Sequence, residues 1–137
     1  MKLSTRATYG IRLCFMLAVA KSPLSAAQLE KQTDVTRKYL EQLLAMLKSG
    51  GIVVSFRGKS GGYELARDPA QITVMDMLNA LEDGFVAPDC VDGKCDDMYC
   101  PNRRMFYEIN NGISNVLSSV TLQNMVDDYR NDCGREQ

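Results

Sequence analysis

The sequence predicts a mainly α-helical fold with a small antiparallel β-hairpin and one long helix near its C-terminal end. Three observations carry this. Apolar residues in the first fifty positions step by three and four, the period of a helix buried along one side. Residues 52–66 change to two short β-branched and aromatic runs around a glycine-rich turn. Beyond residue 101, Phe106, Ile109, Ile113, Val116 and Val120 repeat at alternating three- and four-residue spacing, an a/d seam. At 137 residues the chain is one domain, or a domain with an appendage.

In chain order, the first helix runs from Ser4 or Thr5 to Lys21, with Ala7, Ile11, Cys14, Phe15 and Ala18 inward and Pro23 as its stop. Ser25 with Gln28 forms a capping box for a short helix to Gln32. A tight turn at Thr33–Val35 leads to a third helix, capped by Thr36, striped by Leu40, Leu43, Leu44 and Leu47, and closed by Gly50 and Gly51. Strands are expected over Ile52–Phe56 and Tyr63–Ala66. Asp68 and Pro69 break the chain, and Thr73 with Asp76 caps a helix to Glu82 that offers Met77, Leu78 and Leu81 for packing. Residues 84–101, rich in Gly, Pro and Asp, read as a loop, and Leu122, Met125, Val126 and Tyr129 as a last short helix with a fraying acidic tail.

Composition restricts function. With no histidine, every scheme that needs imidazole is excluded, and no P-loop or dinucleotide fingerprint is present, so the chain does not read as an enzyme. Leu13–Ala20 behind Lys2, Arg6 and Arg12 faintly imitates a secretory signal. Its period is that of a buried helix, and no run approaches the roughly twenty apolar residues that span a bilayer. The expected location is therefore cytoplasmic, with reduced thiols unless a metal or a sensing role claims them. Charge is divided: residues 1–68 hold eleven Lys/Arg against five Asp/Glu, and residues 69–137 five against twelve. A basic half points to a polyanionic partner.

Two regions follow: 1–68, a winged helix-turn-helix for DNA binding, and 69–137, a helix, a cysteine loop and a dimerisation helix. Helix, short helix, turn, helix and hairpin with a cationic tip is the order that lays one helix in the major groove and a wing over the adjacent minor groove. Thr36, Arg37, Lys38, Glu41 and Gln42 lie at the start of the third helix, where glutamine can pair with adenine and glutamate can accept from cytosine. Arg57, with Lys59, stands where a narrow minor groove attracts a cation, and Gly58, Gly61 and Gly62 allow close backbone approach. A small monomer would leave the seam on residues 102–120 exposed, which predicts a homodimer facing a pseudo-palindromic operator on double-stranded DNA. A small α/β domain whose polar helix face is merely wet, and a winged helix that binds protein partners, are the other readings of the same elements.

Cys90, Cys95 and Cys100 lie five apart in a loop with Asp89, Asp92, Asp96 and Asp97. Those carboxylates disfavour free thiolates, whereas a bound cation deprotonates its thiol ligands. Three soft donors, the last followed by Pro101, suit an iron–sulfur cluster or zinc. A disulfide switch and unbound surface thiols are the competing readings. Cys14 reads as a small buried hydrophobe and Cys133 as incidental, though either could complete a ligand set.

Met1–Thr5, Tyr39-Leu-Glu-Gln-Leu43, Arg57-Gly-Lys-Ser-Gly-Gly-Tyr63, the cysteine loop and Thr121-Leu122 together resemble the IscR-type family of iron–sulfur cluster regulators along nearly the whole chain. The resemblance implies a homodimeric winged-helix transcription factor with a crossing dimerisation helix and a 2Fe-2S centre on three loop cysteines plus a fourth ligand. By the same matching, Lys38, Glu41 and Gln42 fall on base-reading positions and Arg57 on the minor-groove arginine. Glu41 matches a glutamate that discriminates between site types. The chain departs from that pattern in three places. Arg103 stands where the family's best-known fourth ligand is a histidine, Thr8 where other relatives supply a carboxylate, and each gap between cysteines is one residue shorter. The reading is a DNA-binding transcriptional regulator that senses iron–sulfur, redox or nitric oxide status. Its alternatives are a cluster-free regulator working through thiol oxidation or a protein partner, and a zinc-stabilised winged-helix adaptor.

Overall fold

Ser4 accepts a hydrogen bond from the Ala7 amide at 3.0 Å and so starts helix α1, Thr5–Val19, whose Ala7, Gly10, Leu13, Cys14 and Leu17 are buried. The computed structural model describes residues 3–20, 22–82 and 99–135. Helix α2, Ala26–Lys31, carries the expected capping box between Ser25 and Gln28. Helix α3, Arg37–Ser49, is capped by Thr36 and buries Leu40, Leu43, Leu44 and Leu47. Gly51, at φ +74°, then reverses the chain.

Strands β1, Val53–Phe56, and β2, Gly62–Leu65, pair antiparallel, with Val53 opposite Leu65 and Phe56 opposite Gly62. β1 begins one residue later and β2 one residue earlier than the sequence predicts: Gly62 completes the last pair, and Ile52 and Ala66 share only the bond from the Ala66 amide to the Ile52 carbonyl, 2.9 Å. The Leu24 backbone pairs with Tyr63, one register position from the turn, and thereby ties the outer half of β2 to the α1–α2 connection. A 3-10 turn at Pro69–Gln71 leads to α4, Val74–Leu81, with the predicted box between Thr73 and Asp76 and with Met77, Leu78 and Leu81 buried.

Helix α5, Pro101–Ser119, packs on α4 and buries none of its residues fully. Helix α6 extends from Leu122 to Arg135, well beyond the short, fraying element expected from its acidic composition. It is held along α1: Leu122 and Val126 are buried, and Tyr129 meets Phe15 edge-on at 5.2 Å. Backbone bonds from Leu122 to Ile72 and from Val74 to Val120 clamp its start to α4. One core therefore runs through α1, α3, α4 and α6.

Candidate nucleic-acid interface

The inner stripe of α3 leaves its other face to solvent, and Thr36, Arg37, Lys38, Glu41 and Gln42 are all exposed there, as are Arg57 and Lys59 at the hairpin. Two of these seven have structural work. The Thr36 hydroxyl accepts from the Tyr39 amide at 3.3 Å. Arg37 donates from Nε and Nη2 to Glu30 Oε2 at 2.8 and 2.7 Å, fastening α2 to α3. The ring of Tyr39 meets that of Tyr9 edge-on, which ties the same turn of α3 to α1. Lys38, Glu41, Gln42, Arg57 and Lys59 have no such partner among the described residues.

Lys48, in the last turn of α3, donates to Ser55 Oγ at 2.7 Å and so ties the helix to β1. The glycines of the turn have internal reasons beyond close approach to a ligand. A Cβ on Gly62, whose φ is +146°, would stand 2.6 Å from the Leu24 carbonyl oxygen, and one on Gly61 would stand 2.5 Å from that of Phe56. A polar helix face and a cationic hairpin tip are thus held on one rigid body, free to engage a polyanion.

Cys100 is the N-cap residue of α5, half-buried, with a free thiol and no side-chain capping bond. Cys90 and Cys95 lie outside the described residues. Cys14 is fully buried, and burial pushes its thiol up to about 12, which does not suit a thiolate ligand. Cys133 is exposed on α6, where its hydrogen bond to Tyr129 raises the tyrosine hydroxyl above its ordinary range. At the two positions that depart from the family pattern, the Thr8 hydroxyl donates to the Ser4 carbonyl at 3.0 Å, and Arg103 offers no lone pair. Sequence reading missed a contact at the root of the cysteine segment. Glu82 accepts from the Ser4 hydroxyl and pairs with Arg6 at 3.6 Å, joining the end of α4 to the start of α1. Such a pairing across 78 positions has no local sequence signature.

Residues 3–128 match the family model Rrf2, described as an iron-dependent transcriptional regulator. The chain belongs to the Rrf2 family. It is 33% identical over 127 residues to the transcriptional regulator CymR of Bacillus subtilis, covering 91% of this chain and 89% of that one. It is 29% identical to IscR of Vibrio vulnificus over 133 residues, covering 93% and 79%. Among solved structures, the CymR global cysteine regulator of B. subtilis matches with a TM-score of 0.78 at 31% identity, over 93% of this chain and 97% of that one. IscR of T. potens matches at 0.77 and 33% identity, over 94% and 88%. The fold is thus the winged-helix fold of Rrf2 regulators, and the chain is a transcriptional regulator. No described helix is long and apolar enough to cross a membrane.

Proposed function

We propose that the chain is a homodimeric DNA-binding regulator in which residues 1–68 read a pseudo-palindromic operator and residues 69–137 pair the protomers and carry the sensor. The observation that supports this best is the exposed, unengaged set Lys38, Glu41, Gln42, Arg57 and Lys59 on elements otherwise locked into the core. Gln42 pairs with an adenine edge and Glu41 accepts from cytosine while repelling misplaced phosphate. Lys38 reads base edges beside them, Lys59 neutralises phosphate, Thr36 and Arg37 orient the helix start, and Arg57 enters the minor groove. Pairing through the exposed seam on α5, where Ile109 and Val116 are 48% and 62% accessible, supplies the second half-site reader.

In this reading Cys90, Cys95 and Cys100 hold an iron–sulfur cluster, 2Fe-2S in preference. Support comes from the iron-dependent family description and from the uncommitted, half-buried thiol of Cys100. When bound, such a cluster supplies an iron–sulfide centre that oxidants and nitric oxide attack. The protein's part is to hold three thiolates among four Asp carboxylates, so that the local charge depends on the metal content. The likeness to CymR, a cysteine regulator, favours a second reading: the same cysteines act as thiols, without iron.

Anaerobic purification with iron and sulfide analysis, followed by operator selection from random duplexes, tests both parts. Arg57→Ala should weaken binding to the selected duplex by about 1–3 kcal/mol, and Gln42→Ala should relax one base position. Unchanged affinity and salt slope in both variants would move the reading surface elsewhere. Single Cys→Ala variants at 90, 95 and 100 should lose iron and sulfide together. A colourless, iron-free wild-type protein that still binds its operator supports the thiol reading instead.

A further inference from the structure

Phe56 ends β1 with 49% of its surface exposed, on the outer face of the hairpin it shares with Val54. In an antiparallel pair the residue directly opposite covers such a ring, but here it is Gly62. No side chain fits there, because the Leu24 carbonyl occupies the space a Cβ needs. The bare ring is therefore built into the hairpin. It adjoins Arg57, with Lys59 two residues further along the turn, and neither cation has a partner among the described residues. The acidic residue on that face, Glu64, is opposite Val54, two register positions nearer the hairpin's base.

We propose that Phe56 is a DNA-contacting residue that seats its ring against the deoxyribose wall of the minor groove that Arg57 enters. This rests on the DNA-binding reading above. An apolar side chain flanked by cations matches a groove whose sugar walls are apolar and whose rims are phosphate. The adjacent positive charge selects a polyanion over a second copy of this hairpin, whose own Arg57 and Lys59 would repel it. Removing the ring takes away apolar contact and no charge, so it lowers affinity equally at every salt concentration.

The test is an anisotropy titration of a fluorescent duplex selected by the wild-type protein, with salt varied from about 50 to 200 mM. Phe56→Ala should weaken binding roughly ten-fold with an unchanged salt slope, and Phe56→Leu should recover most of the loss. Arg57→Ala should instead reduce the slope by about one per protomer. The half-exposed ring contributes little to folding, so melting of the Phe56 variants should follow wild type, and Phe56→Gln, which keeps length without an apolar ring, should lose as much as Phe56→Ala and carries the same test if Phe56→Ala does not fold. Wild-type affinity in Phe56→Ala, or a loss that comes with a changed slope, overturns the proposal. So does a change in sedimentation state, which would assign the face to a second copy. If the wild-type protein selects no duplex, the DNA-binding reading fails first and takes this contact with it.

Discussion

Gly10 lies in the middle of α1 against the end of α4, and a methyl group added there has no room. Its carbon would stand 2.5 Å from Leu81 Cδ2 and 3.0 Å from Leu81 Cγ, with Cδ1 closer still. Leu81 is fully buried and cannot swing away into solvent. Overpacking of this kind costs about 1–3 kcal/mol, while replacing glycine by alanine inside a helix returns about 1. Gly10→Ala should therefore destabilise the fold by up to about 2 kcal/mol. Leu81→Ala alone leaves a cavity and should cost about 2–5 kcal/mol. The three atoms nearest the new methyl all belong to Leu81, so in the Leu81→Ala background Gly10→Ala should become stabilising by about 1 kcal/mol.

The assay is urea unfolding followed by circular dichroism at one fixed protein concentration, because pairing of protomers would make stability concentration-dependent. A double-mutant cycle over the four proteins should give a coupling of about 1–3 kcal/mol. Coupling below about 0.5 kcal/mol would refute the α1–α4 contact. The contact bears on the proposed sensor because α4 is followed by Glu82, which Ser4 and Arg6 hold, shortly before the segment that carries Cys90.

Two further outcomes are expected. Val116 is mostly accessible within one protomer, so Val116→Lys should leave monomer folding intact while shifting sedimentation from dimer to monomer; a wild-type protein that sediments as a monomer at micromolar concentration rules the seam out. Burial raises the Cys14 thiol from 9.0 to about 12, so its contribution to stability is complete below pH 9 and is lost as pH climbs toward 12. Stability should fall less steeply across that window in Cys14→Ala, by about 1.4 kcal/mol per pH unit, and an identical slope in the two proteins would contradict the burial.

Local rules made most of the architecture legible. Capping boxes at Ser25 and Thr73, the cap at Thr36 and the leucine stripe of α3 all depend on residues three or four apart, and each is found as read. The length of α6 was not legible, because acidic residues 127, 128 and 132 describe only its wet face. Its stability comes from Leu122, Val126 and Tyr129 docking on α1, a contact between residues more than a hundred positions apart. For the same reason, the glycines of the wing were read as making room for a ligand, whereas two of them make room for the protein's own backbone. Of the cysteines, burial of Cys14 followed from helical period, while Cys90 and Cys95 lie outside the described residues.

Helix α3 separates the residues that hold it from those left to act. Thr36 caps it, Arg37 is committed to Glu30, and Tyr39 stacks edge-on with Tyr9, so its first turn is fixed against both α1 and α2. Lys38, Glu41 and Gln42 emerge at and just beyond that fixed turn with no partner among the described residues. The hairpin repeats the arrangement: Lys48 with Ser55, Leu24 with Tyr63, and the crowded Gly61 and Gly62 set its path, and Arg57 and Lys59 on it have no partner among the described residues. A backbone fixed in advance spares binding the entropy of ordering it, so interactions of the free side chains appear in affinity with less loss. It also lets those side chains be exchanged without unfolding the domain. Thr36 and Arg37 lack that freedom, since a change at either alters how α3 is held as well as what it touches.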